Sequence, residues 1–157
     1  MAEMASEEPE LVTSIEECER IASLLKDEAI LALDCQGVYR GSHLRLTLLQ
    51  IGTSKGKVYL FDVQKNKILL LNDGLRHLLE SKDIEKVMFK CSKDSGALYH
   101  NFQITLQNVF DIQDAHIILE EQTGRKLFPS LNLRNVCRVY SPIDKVSQHE
   151  EDSMKFL

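Results

Sequence analysis

Apolar residues along the chain fall into two rhythms, one with helical spacing and one of short runs broken by turns. Ile15, Cys18, Ile21, Ala22 and Leu25 recur at the helical period. Ser14 precedes them with Glu17 three residues on, the signature of a capping box, so a helix is expected from Ser14 to about Leu25. The run Ile30–Leu33 then ends on an acid, Asp34, as a buried strand would. Gly37 and Gly41 bracket a loop, and Leu44–Ile51 and Val58–Val63 read as further strands. Three strands this close together predict an antiparallel meander. Ile68–Leu71 opens a helix that Leu75, Leu78 and Leu79 continue to about Ser81.

The second half changes to alternating strand and helix. Lys86–Cys91 predicts a strand, Ser92 caps a helix to about Phe102, and Val109–Phe110 is a short extended entry. Asp111 opens a helix through Leu119. Residues 120–129 read as a loop and Leu131–Val139 as a short helix. Residues 1–12 are polar, acidic and expected to be disordered, and 141–157 form a polar tail. The expectation is one α/β domain over residues 13–140, with a mixed sheet flanked by helices.

Composition sharpens this only in part. A chain of 157 residues that is 43% hydrophobic and 27% charged buries a sizeable core as a single domain. No apolar stretch is long enough for a membrane span, and the acidic start lacks a secretory pattern. Cys18, Cys35, Cys91 and Cys137 are widely separated and form no paired zinc motif. Reduced thiols in a cytoplasmic protein are the expectation. The net charge of −5 argues against a general polyanion binder, which carries a global basic excess. It leaves room for a local basic rim.

Chemistry concentrates at three acids. Asp34 ends the first strand, Asp94 lies in the first turn of a helix after a later strand, and Asp111 opens another helix. Such positions converge easily at one end of a sheet, where helix N-termini favour ionised carboxylates. Asp111 is the exception, being better suited to capping its own helix. Around the first two stand Tyr39, Arg40, His43 and Arg45, then Lys90 and Lys93. Side by side, these would make a basic rim for phosphates, with Tyr39 available for stacking on a base. Their bland alternative is scattered surface charge. His100 and His116 each stand alone on a helix and carry no expected catalytic role.

The segments Leu31–Gln36, Leu46–Ile51, Lys86–Leu98 and Phe110-Asp111-Ile112-Gln113 resemble, in order and spacing, the DEDD superfamily of 3′–5′ exonucleases on its ribonuclease D side. The likeness is greatest to exonuclease 3′–5′ domain-containing protein 1 and to the domain of Egalitarian. It covers roughly residues 14–140 and implies a ribonuclease H-like fold. In active members four carboxylates hold two divalent ions, Mg²⁺ or Mn²⁺, about 4 Å apart for phosphodiester hydrolysis. Two departures stand out. Gln36 occupies the position of the Glu in the first motif, and the late Tyr or His with its Asp has no counterpart, as though the domain were truncated at its C-terminus. Asp34 and Asp94 remain as metal positions. Glu150, Glu151 and Asp152 form a solvated acidic run rather than substitutes.

The resemblance therefore implies a module binding single-stranded nucleic acid, RNA in preference, on a fold that has lost its reaction. Tyr39, Arg40, His43, Lys90 and Lys93 are its expected contacts, and proteins of an RNA-processing assembly such as the piRNA pathway its expected company. Two alternatives stay open. One is an active two-metal exonuclease, if the chain is a fragment. The other is a protein-interaction scaffold that binds neither metal nor RNA.

Overall fold

The computed structural model describes residues 7–124 and 131–140. Residues 1–6, the second half of the expected 120–129 loop and the 141–157 tail, with Glu150, Glu151 and Asp152, lie outside them. The chain divides into two units, Met1–Phe110 and Asp111–Leu157.

The first unit is built on a mixed sheet in the order β1-β4-β3-β2-β5-β6. Its centre is β2 (Ile30–Arg40), β3 (His43–Thr53) and β4 (Val58–Asp62), antiparallel to one another as the meander predicts. β5 (Glu85–Met88) joins β2 in parallel, and β6 (Val109–Asp111) follows it at the edge. Parallel addition after an antiparallel meander makes the sheet mixed, as the ribonuclease H-like expectation requires.

One face of β2 carries the core. Leu31, Leu33 and Cys35 are buried, whereas Ile30, Ala32 and Asp34 between them are exposed. This alternation follows from the two-residue period of a strand. Helix α1 (Ile15–Leu25) lays Cys18, Ile21 and Leu25 into that core, and α2 (Asp73–Glu80) adds Leu75, Leu78 and Leu79. Helix α3 (Cys91–Phe102) packs on β2 and β3 through Ala97 and Leu98. The capping box of α1 forms as its sequence requires: Ser14 Oγ accepts from the Glu17 N–H, and Glu17 accepts from the Ser14 N–H.

Several boundaries differ from those expected. Glu10–Val12, placed by the sequence in a disordered segment, forms β1 and pairs in parallel with Tyr59–Phe61 of β4. The Arg20–Glu10 ion pair ties the strand to α1. The loop expected between Gly37 and Gly41 is strand up to Arg40, closing in a tight turn at Gly41, where φ is 64°. The single helix expected over 68–81 is two pieces. A 3-10 turn (Lys67–Leu71) and α2 are separated by Asn72, whose side chain caps α2 by accepting from the Leu75 N–H. The strand expected to reach Cys91 stops at Met88, because Lys90 takes a left-handed conformation (φ 56°, ψ 50°) that no strand continues. Ser92 therefore lies inside α3 and does not cap it.

A bulge marks β3. Gln36 pairs with Leu48 and Gly37 with Leu46, so Thr47 has no partner across the ladder. Its hydroxyl donates to the Gln36 carbonyl at 3.1 Å. The extra residue moves the buried positions from Leu49 and Ile51 to Leu46, which explains the imperfect alternation of this segment.

In the second unit, Asp111 caps α4 (Ile112–Thr123), its carboxylate accepting from the Gln113 N–H at 2.9 Å. The helix runs further than its sequence suggests and ends at Gly124, at φ 68°. Helix α5 (Leu133–Tyr140) packs on α4, and buried His116 meets the Tyr140 hydroxyl at 3.0 Å. No helix among the described residues is long and apolar enough to cross a membrane.

Candidate nucleic-acid interface

Two sets of side chains lie along β2 and the hairpin it forms with β3. The first is acidic. Asp34 stands on the exposed face of the strand, and its carboxylate accepts from Gln36 Nε2 at 2.6 Å. The two are neighbours because residues two apart share a strand face. Crowding raises the proton affinity of Asp34 by desolvation, and the Gln36 amide and the Cys35 backbone N–H partly offset this. Asp94 is buried in the first turn of α3. The Cys35 thiol, buried on the face of β2 opposite to Asp34, feels the charge of both acids. Burial first, then the charges of Asp94 and Asp34, hold it well above the ordinary thiol range. Asp34 lies in the middle of β2 rather than at its end, because the strand the sequence stops there continues to Arg40. In the second unit the Asp111 carboxylate caps α4, as its sequence position suggests.

Do these residues fit the two-ion centre that the resemblance implies? A pair of divalent cations brings four positive charges, which hard oxygen ligands must neutralise as well as position. Asp34 and Asp94 supply two negative charges, and Gln36 spends its N–H on Asp34 and has only a neutral carbonyl to add. Among the described residues no group of three His, Cys, Asp or Glu side chains is arranged to hold a metal ion. The described residues do not make up a two-ion site.

The second set is basic and aromatic. The β2–β3 hairpin docks on α3: Asn101 Nδ2 donates to the Leu44 carbonyl at 2.9 Å and to the Ala97 carbonyl at 2.7 Å. This brings Lys93 Nζ over the ring of Tyr39, 5.8 Å from its centroid. It also sets the His43 and His100 rings 5.5 Å apart, with Tyr99 5.6 Å beyond His100. The hairpin and the start of α3 therefore lie side by side, the condition for a continuous rim. Tyr39, Arg40, His43 and Lys93 are exposed, and Arg45 is half-buried. Lys90, at the left-handed entry to α3, reaches back over Phe89 at 5.3 Å. From Cys35 through Phe61 the sequence holds no acid, so the hairpin is locally cationic in a chain of net charge −5. Tyr99, and His100 which the sequence leaves without a role, belong to this surface. The available signal was two ring-bearing residues in succession on a helix whose neighbours Ala97 and Leu98 face the core.

A family profile described as "3'-5' exonuclease" matches residues 9–152 of this chain. Mouse (Mus musculus) piRNA biogenesis protein EXD1 is 36% identical over 94 residues, which is 60% of this chain and 16% of that protein. The Egalitarian protein homolog of Caenorhabditis elegans is 27% identical over 121 residues, 74% of this chain and 21% of that protein. This chain thus spans about a fifth of the length of either relative. Among solved structures, the Aedes aegypti Nibbler EXO domain superposes with a TM-score of 0.70 at 20% identity, covering 83% of this chain and 67% of that one. Trypanosoma brucei RNase D in complex with RNA U12 gives 0.65 at 20% identity, covering 95% and 58%. At such identities the superpositions establish the fold, a ribonuclease H-like mixed sheet flanked by helices. With most of its length matched, and with EXD1 and Egalitarian among its relatives as the DEDD-type motifs imply, this chain belongs to the 3′–5′ exonuclease family.

Proposed function

We propose that this chain binds single-stranded nucleic acid, preferentially RNA, on an exonuclease fold that no longer cuts. One observation carries the proposal: Gln36 stands beside Asp34 and donates a hydrogen bond to it, where catalysis wants a second metal-binding carboxylate. A neutral amide leaves the site short of charge, so divalent ions bind weakly and the attacking and leaving oxygens go unstabilised. Phosphate contacts fall to Arg40, Lys90 and Lys93, with Tyr39 and His43 nearby, and none of these depends on a metal. The likeness to an RNase D solved with RNA supports the same reading. So does the name of the EXD1 relatives, which places those proteins in piRNA biogenesis. A role in an RNA-processing assembly of the cytoplasm follows, consistent with free, buried Cys18 and Cys35.

The test uses end-labelled single-stranded RNA with Mg²⁺ or Mn²⁺. Retarded, uncut RNA whose binding weakens as salt rises is the expected result, because phosphate contacts release counterions. Stepwise shortening from the 3′ end, abolished by Asp34→Ala, would overturn the loss of activity. That second reading, a cutting enzyme, has one observation in its favour: Asp34 and Asp94 both persist around Cys35.

A further inference from the structure

Glycine in the middle of a helix is destabilising relative to alanine, so its presence asks for a reason. For two glycines of this chain the reason is steric. A Cβ on Gly37 would lie 2.4 Å from the Arg45 carbonyl oxygen, and one on Gly74 3.1 Å from Ala22 Cβ. Gly96, the sixth residue of α3, has no such reason: a Cβ there would meet nothing within 4 Å, and its φ is not in the left-handed region. The chain's own packing does not require a glycine at this point.

Its surroundings suggest what does. On a helix, residues three and four apart are neighbours, so Gly96 is bordered by Lys93 on one side and by Tyr99 and His100 on the other. Ala97 and Leu98 turn to the core, leaving Gly96 on the outward side. Lys93 and His100 are the two α3 residues that meet Tyr39 and His43 of the hairpin. Tyr99 is 49% exposed and Tyr39 55%, values that leave ring faces open to a ligand. The result is a half-exposed stretch of helix backbone flanked by rings and cations, next to hairpin residues 35–53 that include no acid. Glycine is also the residue that lets a flat group approach backbone closely.

We infer that the outer face of α3 around Gly96 is a seat for an unpaired nucleobase, flanked by Tyr99 and His100, with Lys93 and Arg40 taking the adjoining phosphates. This rests on the proposed nucleic-acid binding and gives it a location apart from the acidic pair at Asp34 and Asp94. Unpaired bases are the ligand because stacking on exposed rings needs a free π-face, which a duplex withholds. The Gly96 site is sequence-tolerant for the same reason: every base has such a face.

The experiment measures fluorescence anisotropy of labelled single-stranded and duplex RNA of equal length, with the full chain and three variants. Gly96→Leu fills the seat from a Cβ that meets nothing within 4 Å, and thermal melting is expected to show a fold at least as stable as wild type. Its affinity for single strands is expected to fall about tenfold or more, as is that of Tyr99→Ala, the loss typical of one stacked base. Ser14→Ala, at the start of α1 and outside the interface, is expected to bind as wild type. Wild-type binding that Gly96→Leu and Tyr99→Ala leave unchanged would overturn the seat while sparing the proposed function. Equal affinity for duplex would also overturn it. Absence of wild-type binding to either RNA would overturn both.

Discussion

Helices α1 and α3 begin in opposite ways. α1 starts on Ser14, whose hydroxyl satisfies one helix N–H while Glu17 satisfies two backbone donors before it, those of Thr13 and Ser14. Everything its first turn needs is supplied within five residues. α3 starts on Lys90, held at φ 56° with no side-chain cap, and follows a strand that ends two residues earlier. A left-handed lysine costs about 1 kcal/mol or more relative to glycine. The first start is optimised for stability. The second keeps a strained entry just ahead of Lys93 and Asp94, and Lys93 reaches Tyr39 of the candidate interface.

The largest effect expected on this contrast comes from the hairpin that docks on α3. Gly37→Ala drives a Cβ into the Arg45 carbonyl, so the two strands must separate or shift. A loss of about 3 kcal/mol in urea unfolding is expected, together with weaker RNA binding as the Tyr39 and His43 rings leave α3. If stability falls and affinity does not, the hairpin is not part of the interface. At α1, Ser14→Ala removes the cap and is expected to cost about 1 kcal/mol while leaving RNA affinity unchanged. At α3 the sign reverses: Lys90→Gly relieves the left-handed backbone and is expected to add about 0.5 kcal/mol while weakening RNA binding. A Lys90→Gly chain that is less stable than wild type would erase the distinction between the two starts.

The smallest effect is one of pH. Backbone donation from Thr13 and Ser14 holds the Glu17 carboxyl below its usual range. A carboxyl lowered on folding adds stability that is present above its unfolded value and lost as pH falls through its folded one. Thermal melts of wild type and Glu17→Gln should therefore differ at neutral pH and converge in acid, below the usual carboxylate range. A gap that persists unchanged in acid would show that Glu17 acts by packing rather than charge.

What was legible in the sequence follows the same division. α1 was readable because its signals are local: apolar spacing, a cap and its partner. The meander was readable from three runs and their turns. β1 was not, because Glu10–Val12 becomes a strand only by pairing with Tyr59–Phe61, some fifty residues on, and three residues carry no period of their own. The break at Asn72 was hidden by a continuous apolar run, since a 3-10 turn buries Leu69 and Leu70 as well as a helix would. At the site, Asp34 and Gln36 were picked out at a strand end and Asp94 at a helix start, but the strand continues to Arg40 because pairing with β3 carries it through Gly37. Gly96, Tyr99 and His100 were not picked out. Their relation to Tyr39 and His43 depends on the hairpin lying against α3, which only the Asn101 contacts and the strand register specify.

The bulge at Thr47 bears on how this hairpin can change length over evolutionary time. A strand is a two-beat rhythm, and the unpaired residue resets the beat between Leu49 and Leu46. Insertions in the hairpin made two at a time, one on each strand in register, keep the phase but turn the tip over; four at a time restore it. A single insertion or deletion in one strand must be absorbed by a second bulge or by erasing the first. Hairpins of related chains should therefore vary in length by discrete steps, with the surface facing α3 kept only by some of them.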